Sequence, residues 1–380
     1  MSRILFTHSH LVIDGKREYE DGALLVNGET IEDVFIDSGH IRYIEGEYEE
    51  RDLEGRIVMP GFFDTHNHGC FGINYTSASK EEINEVSRKM AVQGTTSFLM
   101  TLLNNEKLLE RLRNVEDLEC AGSRFQGIHL EGPFINMKYK GAINGGFILG
   151  PDMAILESYL DASSNIRQMT VSPELEGIRD IIRRLNAEGI KVMCGHSDAL
   201  KEDLEGIEYD GFTHLFNATR PLGHRELSLV NVALDGTDKY VEVVADGIHL
   251  DTSVLRLIYR NIRRDRIMII TDSTHVAGLA DGECVFEGEK CLKKGPAVRR
   301  IKDGRLAGGA SSMADCVKVM RSLGVPFTDL LLMSSLNAYR LYGLDKRFGT
   351  LEKGKYADIV IMNDEMDLLC TYMRGKRIDA

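Results

Sequence analysis

The chain has 380 residues, 43% hydrophobic and 7% aromatic with no Trp, which suits one large α/β barrel or two average domains with aliphatic cores. Its formal net charge of -13 repels phosphate backbones, argues against a nucleic-acid partner, and obliges any anionic substrate to find local cations. No run approaches the ~18 apolar residues of a membrane span, the polar stretch Met1 to His8 does not read as a signal peptide, and the seven Cys lack CxxC spacing, so a reduced, cytoplasmic protein without a membrane partner is expected.

Residues 1–56 read as short strands and turns. Ala23-Leu24-Leu25-Val26 runs into Asn27-Gly28, a hairpin signal. A further β stretch is expected over His40-Ile41-Arg42-Tyr43-Ile44. The C-terminus has the same character, with Ala357 to Met362 and Leu368 to Arg374 followed by Gly375-Lys376. Neither end has apolar residues enough for its own core. One small β-sandwich domain, built from residues 1–56 and 346–380, is therefore expected.

Residues 57–345 alternate strand and helix. Eight β-rich runs are expected. They end at Asp64, Met100, Glu131, Val171, Cys194, His214, Val244 and Ile270. Helical spacing lies between them: Ser79 with Glu82 forms a capping box, and 105–118, 177–188 and 252–262 carry apolar residues at helical intervals. Eight alternations point to an α/β fold with a (β/α)8, TIM-like barrel.

In such a barrel the chemistry gathers at the C-terminal ends of the strands. Strand one ends in Asp64-Thr65-His66-Asn67-His68. Two His two residues apart on extended backbone face one side, so they can share a metal or form a surface pair in a loop. Glu131 closes strand three as a metal-compensated carboxylate or as a turn cap. His196 and His214 end strands five and six. Each alone could be a satisfied core His, but together with Glu131, His66 and His68 they make a metal site. Mixed His/carboxylate donors suit Zn, Fe, Mn or Co, one or two divalent ions per subunit. Asp272 ends strand eight either as a general acid/base beside a metal-activated water or as an N-cap. His249, after strand seven, is a substrate contact or a structural His.

These motifs form a known set. The chain resembles the N-acetylglucosamine-6-phosphate deacetylases of the amidohydrolase superfamily over essentially its full length. The matching segments are Pro60 to Gly69, His129 to Phe134, Lys140-Gly141-Ala142, Gly195 to Ala199, Thr213 to Ala218, Arg225-Glu226, Asp246 to His249, Thr271-Asp272 and Gly349 to Asp358. The resemblance implies hydrolysis of the acetamide of N-acetyl-D-glucosamine 6-phosphate to D-glucosamine 6-phosphate and acetate. It implies Glu131, His196 and His214 as principal metal ligands, His66 and His68 as holders of a second ion, and Asp272 as acid/base. Ala142, Asn217, Ala218 and His249 would contact the sugar phosphate. Arg225 would reach the phosphate across a homodimer interface, which answers the charge question.

The chain also departs from the family. Ile143 stands where the family has a His that polarises the acetyl carbonyl, Thr219 replaces a Met, Gly309 replaces a Ser, and His275 replaces a small residue. One expectation is that His275 takes over part of the missing role. Alternatives are another N-acetylhexosamine phosphate such as N-acetylgalactosamine 6-phosphate, another amidohydrolase reaction, or a non-catalytic sugar-phosphate sensor.

Overall fold

The computed structural model describes residues 3–41 and 44–379. Its centre is a sheet of eight parallel strands: Phe62–Asp64, Thr95–Leu103, Arg124–Glu131, Ile166–Val171, Lys191–Cys194, Gly211–Phe212, Tyr240–Val244 and Ile267–Ile270. Each pairs with the next in chain order. The ends join where Asp272 N–H donates to His66 O at 2.9 Å and Asn67 bridges Ser273 in parallel. The (β/α)8 barrel expected from the alternation is present.

These strands are apolar because helices cover them. All nine residues of Thr95–Leu103 are buried, as expected for a parallel strand with both faces enclosed. The helix Lys80–Val92 starts at the Ser79/Glu82 capping box and buries Ile83, Val86, Ser87, Met90 and Ala91 along one side. Helices Ile178–Ala187 and Thr252–Asn261 lie where helical spacing predicts them. The helix expected over 105–118 is shorter, Leu108–Asn114. Among the described residues no helix is long and apolar enough to cross a membrane.

Strand one differs from its expectation. The run from Ile57 to Asp64 is divided at Gly61. Ile57–Pro60 pairs with Ile359–Met362 and with His10 and Leu11, and only Phe62–Asp64 joins the barrel. The backbone passes so close to strand two that a Cβ on Gly61 would lie 2.1 Å from Thr96 Cγ2. The sheet of the termini runs Lys376–Ile378, Leu368–Met373, Ile359–Met362, Ile57–Pro60, Arg3–Val12, Glu18–Asn27, Thr30–Phe35, with Glu49–Asp52 also beside Arg3–Val12. Both termini feed one core that includes Phe6, Leu11, Leu24, Val58, Ile359 and Tyr372. The β stretch expected at 40–44 is not seen: Ser38–His40 form a single 3-10 turn, and residues 42 and 43 lie outside the described residues.

After strand eight comes an element with no counterpart in the expected pattern. Gly282–Phe286, Glu289–Lys294, Ala297–Arg300 and Leu306–Gly309 form a four-stranded antiparallel sheet. Its first hairpin turns at Glu287-Gly288, both with positive φ (49° and 77°), as a two-residue turn requires. At the opposite, N-terminal end of the barrel, Tyr339 and Tyr342 pack on Phe63 with centroids 4.8 and 5.7 Å away.

Candidate active site

The strand ends deliver their polar residues to one cavity of about 180 Å³. His68, Glu131, His196, His214 and Asp272 line it, together with Ala142, Asn217, Ala218 and His249. His66 is fully buried just behind this lining. Arg225 is exposed and outside the lining, which contains no Lys or Arg. His129, from the same motif as Glu131, is a satisfied core His between the hydroxyls of Thr101 (3.2 Å) and Thr170 (2.8 Å).

Glu131 is the hub. Its Oε1 lies 2.8 Å from His196 Nε2, 3.1 Å from His214 Nε2 and 3.5 Å from His66 Nε2, and its Oε2 lies 3.3 Å from His68 Nε2. Burial alone would raise this carboxyl, but the surrounding His66 and His196 hold it well below the usual carboxylate range. Asp272 Oδ1 sits 3.3 Å from His68 Nε2 and 3.7 Å from His66 Nε2, and Oδ2 sits 3.7 Å from His249 Nε2. Burial opposes its ionisation, but the hydrogen bond with His68 and the neighbouring imidazoles outweigh it, so Asp272 too is held low.

The imidazoles are oriented from behind. His196 Nδ1 faces the Tyr139 carbonyl at 2.9 Å, which can only accept, so Nδ1 carries a proton. Its Nε2 faces Glu131 Oε1 at 2.8 Å and His214 Nε2 at 3.0 Å. His249 Nδ1 is bound by Asp246 Oδ2 at 2.8 Å, while Asp246 Oδ1 accepts from Ile248 N and His249 N, each at 2.8 Å. Asp64 accepts from Thr271 Oγ1 at 2.6 Å and from Thr271 N at 3.2 Å, tying strand eight to strand one. Burial pushes its carboxyl up to about 6.

Four of the residues at this mouth have left-handed backbone: His196 (φ 48°), His214 (27°), Ala218 (44°) and Asp272 (47°). Such conformations cost about 1–3 kcal/mol each in non-glycine residues and cluster where function over-determines them.

A divalent cation fits this donor set. His196 Nε2 and His214 Nε2 converge on Glu131 Oε1 at 2.8 and 3.1 Å and lie 3.0 Å from each other, three potential donor atoms around one point. His66 Nε2 is buried without a hydrogen-bond partner. Donor atoms within 4.8 Å of one another fall into two overlapping sets, His66/Glu131/His214 and His66/His68/Asp272.

Two lining residues, Phe286 and Leu103, had no reading from sequence. Phe286, Leu306 and Gly308 come from the inserted sheet, and Leu103 from strand two. Ile143 joins Leu103 and Phe286 in an apolar wall. His275 does not line the cavity; its ring stacks on Phe286, centroids 6.4 Å apart. The Gly309 that replaces a Ser sits tightly, since a Cβ there would lie 3.1 Å from Thr271 O and 3.2 Å from His249 Cε1.

The model of the amidohydrolase family matches residues 57–378. The chain belongs to the amidohydrolase family. This amidohydrolase is 30% identical to the N-acetylglucosamine-6-phosphate deacetylase of Bacillus subtilis (strain 168), over 94% of this chain and 95% of that protein. It is 29% identical to the N-acetylgalactosamine-6-phosphate deacetylase of Escherichia coli O157:H7, over 86% and 88%. The fold matches that of N-acetyl-D-glucosamine-6-phosphate deacetylase from Mycobacterium smegmatis, a mutant crystallised with N-acetyl-D-glucosamine-6-phosphate, with TM-score 0.91 at 24% identity and all of both chains covered. This amidohydrolase is a metal-dependent hydrolase of an amide, and the metal is divalent.

Proposed function

We propose that the protein hydrolyses the acetamide of N-acetyl-D-glucosamine 6-phosphate, releasing acetate and D-glucosamine 6-phosphate. The observation that carries the reading is Asp272, a carboxylate at the cavity surface held 3.3–3.7 Å from three imidazoles. The relatives' activities support the substrate.

Glu131, His196 and His214 would hold the principal ion, and His66 and His68 a second, with Glu131 shared. Zn, Fe, Mn or Co all suit these donors. A divalent cation held there acidifies water and draws charge from a carbonyl oxygen. Asp272, low enough to be ionised, takes the proton of the attacking water and later delivers it to the departing amine. His249, fixed by Asp246, offers Nε2 beside Asp272 for a sugar hydroxyl. Asn217, Ala218 and Ala142 line the same cavity and would carry the rest of the sugar phosphate. The lining holds no cation for the phosphate, so Arg225 of a second copy supplies it in a homodimer.

A second reading, N-acetylgalactosamine 6-phosphate as substrate, is favoured by the near-equal identity to the E. coli relative. Acetate release from metal-reconstituted protein, with N-acetylhexosamine 6-phosphates and their unphosphorylated forms, tests both. Turnover confined to the glucosamine phosphate supports the first reading. Preference for the galacto epimer supports the second, and activity only without phosphate overturns both.

A further inference from the structure

Glu242 is a buried charged residue that the mechanism leaves unused. It sits in strand seven between Val241 and Val243, which face the helix layer beside Leu255 and Ile258. Alternation turns Glu242 into the barrel, where its side chain is wholly buried. Among the described residues no Lys or Arg pairs with it; its ion-pair partner is His66, with Oε2 3.3 Å from Nδ1. Oε1 accepts from Gln168 Nε2 at 2.9 Å and from Thr65 Oγ1 at 3.2 Å. The Gln168 Oε1 in turn accepts from the hydroxyl of Tyr342, at the far end of the barrel.

A buried carboxylate without a cation is costly to maintain. Here each oxygen meets at least one donor, and the one titratable neighbour presents its other nitrogen to the cavity. His66 Nε2 lies 3.5 Å from Glu131 Oε1 and 3.7 Å from Asp272 Oδ1 and has no hydrogen-bond partner. We propose that Glu242 is a positioning residue: it keeps the proton of His66 on Nδ1, aims the Nε2 lone pair at the His66/His68 half of the site, and supplies a buried negative charge that raises that half's affinity for a divalent ion. This rests on the reading of His66 as a metal donor. A carboxylate behind a metal-ligating His fixes the ring and raises its basicity, and losing it weakens metal binding by about 10–100-fold.

The test measures metal, not turnover. His66→Asn and Glu242→Gln are each titrated with Zn²⁺ against a chromophoric chelator, and bound ions are counted. We expect His66→Asn to lose one ion and Glu242→Gln to bind that same ion about 10–100-fold more weakly, with the remaining ion held as in wild type. Glu242→Gln should melt, metal-free, no lower than wild type, since a neutral amide replaces a buried charge. A lower metal-free Tm with unchanged affinity means a merely structural carboxylate and overturns the proposal. If His66→Asn keeps every ion, the reading of His66 as a donor fails instead. Should Glu242→Gln not fold, ¹⁵N-histidine NMR of the Zn²⁺-loaded wild type decides. An exchange-protected proton on His66 Nδ1 supports the proposal, and a proton on Nε2 overturns it.

Discussion

His196 and His214 reach Glu131 from strands five and six on left-handed backbone, and His196 is steadied by the main-chain carbonyl of Tyr139. His66 and His68 leave strand one without positive φ, and His66 is steadied by the buried Glu242 carboxylate. One half of the site is therefore set by the course of the backbone, the other by a polar network inside the barrel. The difference predicts different failures. Substitutions that alter turn conformation injure the first half, and substitutions that alter buried charge injure the second.

Removing what the halves share should have the largest effect. Glu131→Gln, and chelation of wild type, should each bring acetate release to background, with added metal restoring only the wild type; turnover by the chelated enzyme would erase the distinction between the halves. Next comes Asp272→Asn, expected to lower kcat by about 10²–10⁴-fold while metal content by elemental analysis stays at the wild-type value. Normal turnover would remove Asp272 from the chemistry.

A pH titration separates the halves more finely. Burial would lower the metal-free His68 imidazolium, but hydrogen bonds to Asp272 and Glu131 push it up to about 9. Its unfolded value is about 6.5, so its protonation stabilises the metal-free protein fully below that pH, and the contribution is lost as pH rises through about 9. Metal must displace this proton. Affinity at the His66/His68 half should fall as pH drops below about 9, with proton uptake or release read by calorimetry in buffers of different ionisation enthalpy. No proton release at pH 7.5–8.5, about one unit below that value, would contradict it.

The smaller effects concern the apolar wall. Ile143→Ala removes a buried side chain and should lower stability by about 2–5 kcal/mol in denaturant unfolding, leaving metal content alone. His275→Ala should change kcat less than Phe286→Ala, because His275 stands behind Phe286. A larger fall for His275→Ala would restore the compensating role expected from sequence.

The barrel strands were legible because helices cover the outer face and the barrel interior encloses the other, which makes each a compact apolar run, and because the run's polar end marks the mouth. His66, His68, Glu131, His196, His214 and Asp272 were visible for that reason. The inserted sheet was not. Glu289–Lys294 buries Cys291 and Lys293 and exposes Leu292, so its alternation carries no hydrophobic signal. Glu242 is one charge in an apolar strand, and sequence does not say which face a lone charge takes. Gly61 looked like an interior glycine and is a sheet boundary, a fact written in its approach to Thr96.

The inserted sheet also does two jobs with one strand. Leu306 and Gly308 line the cavity, and the next residue, Gly309, donates its N–H to Asp272 O at 2.8 Å while its own carbonyl accepts from Thr274 N at 2.9 Å. Exchanging the whole insert between relatives would disturb the acid/base along with the pocket, so it is not a transferable cassette. Phe286 lies at the far hairpin, away from those bonds. Single substitutions there are the route by which substrate preference can drift while the chemistry stays in place.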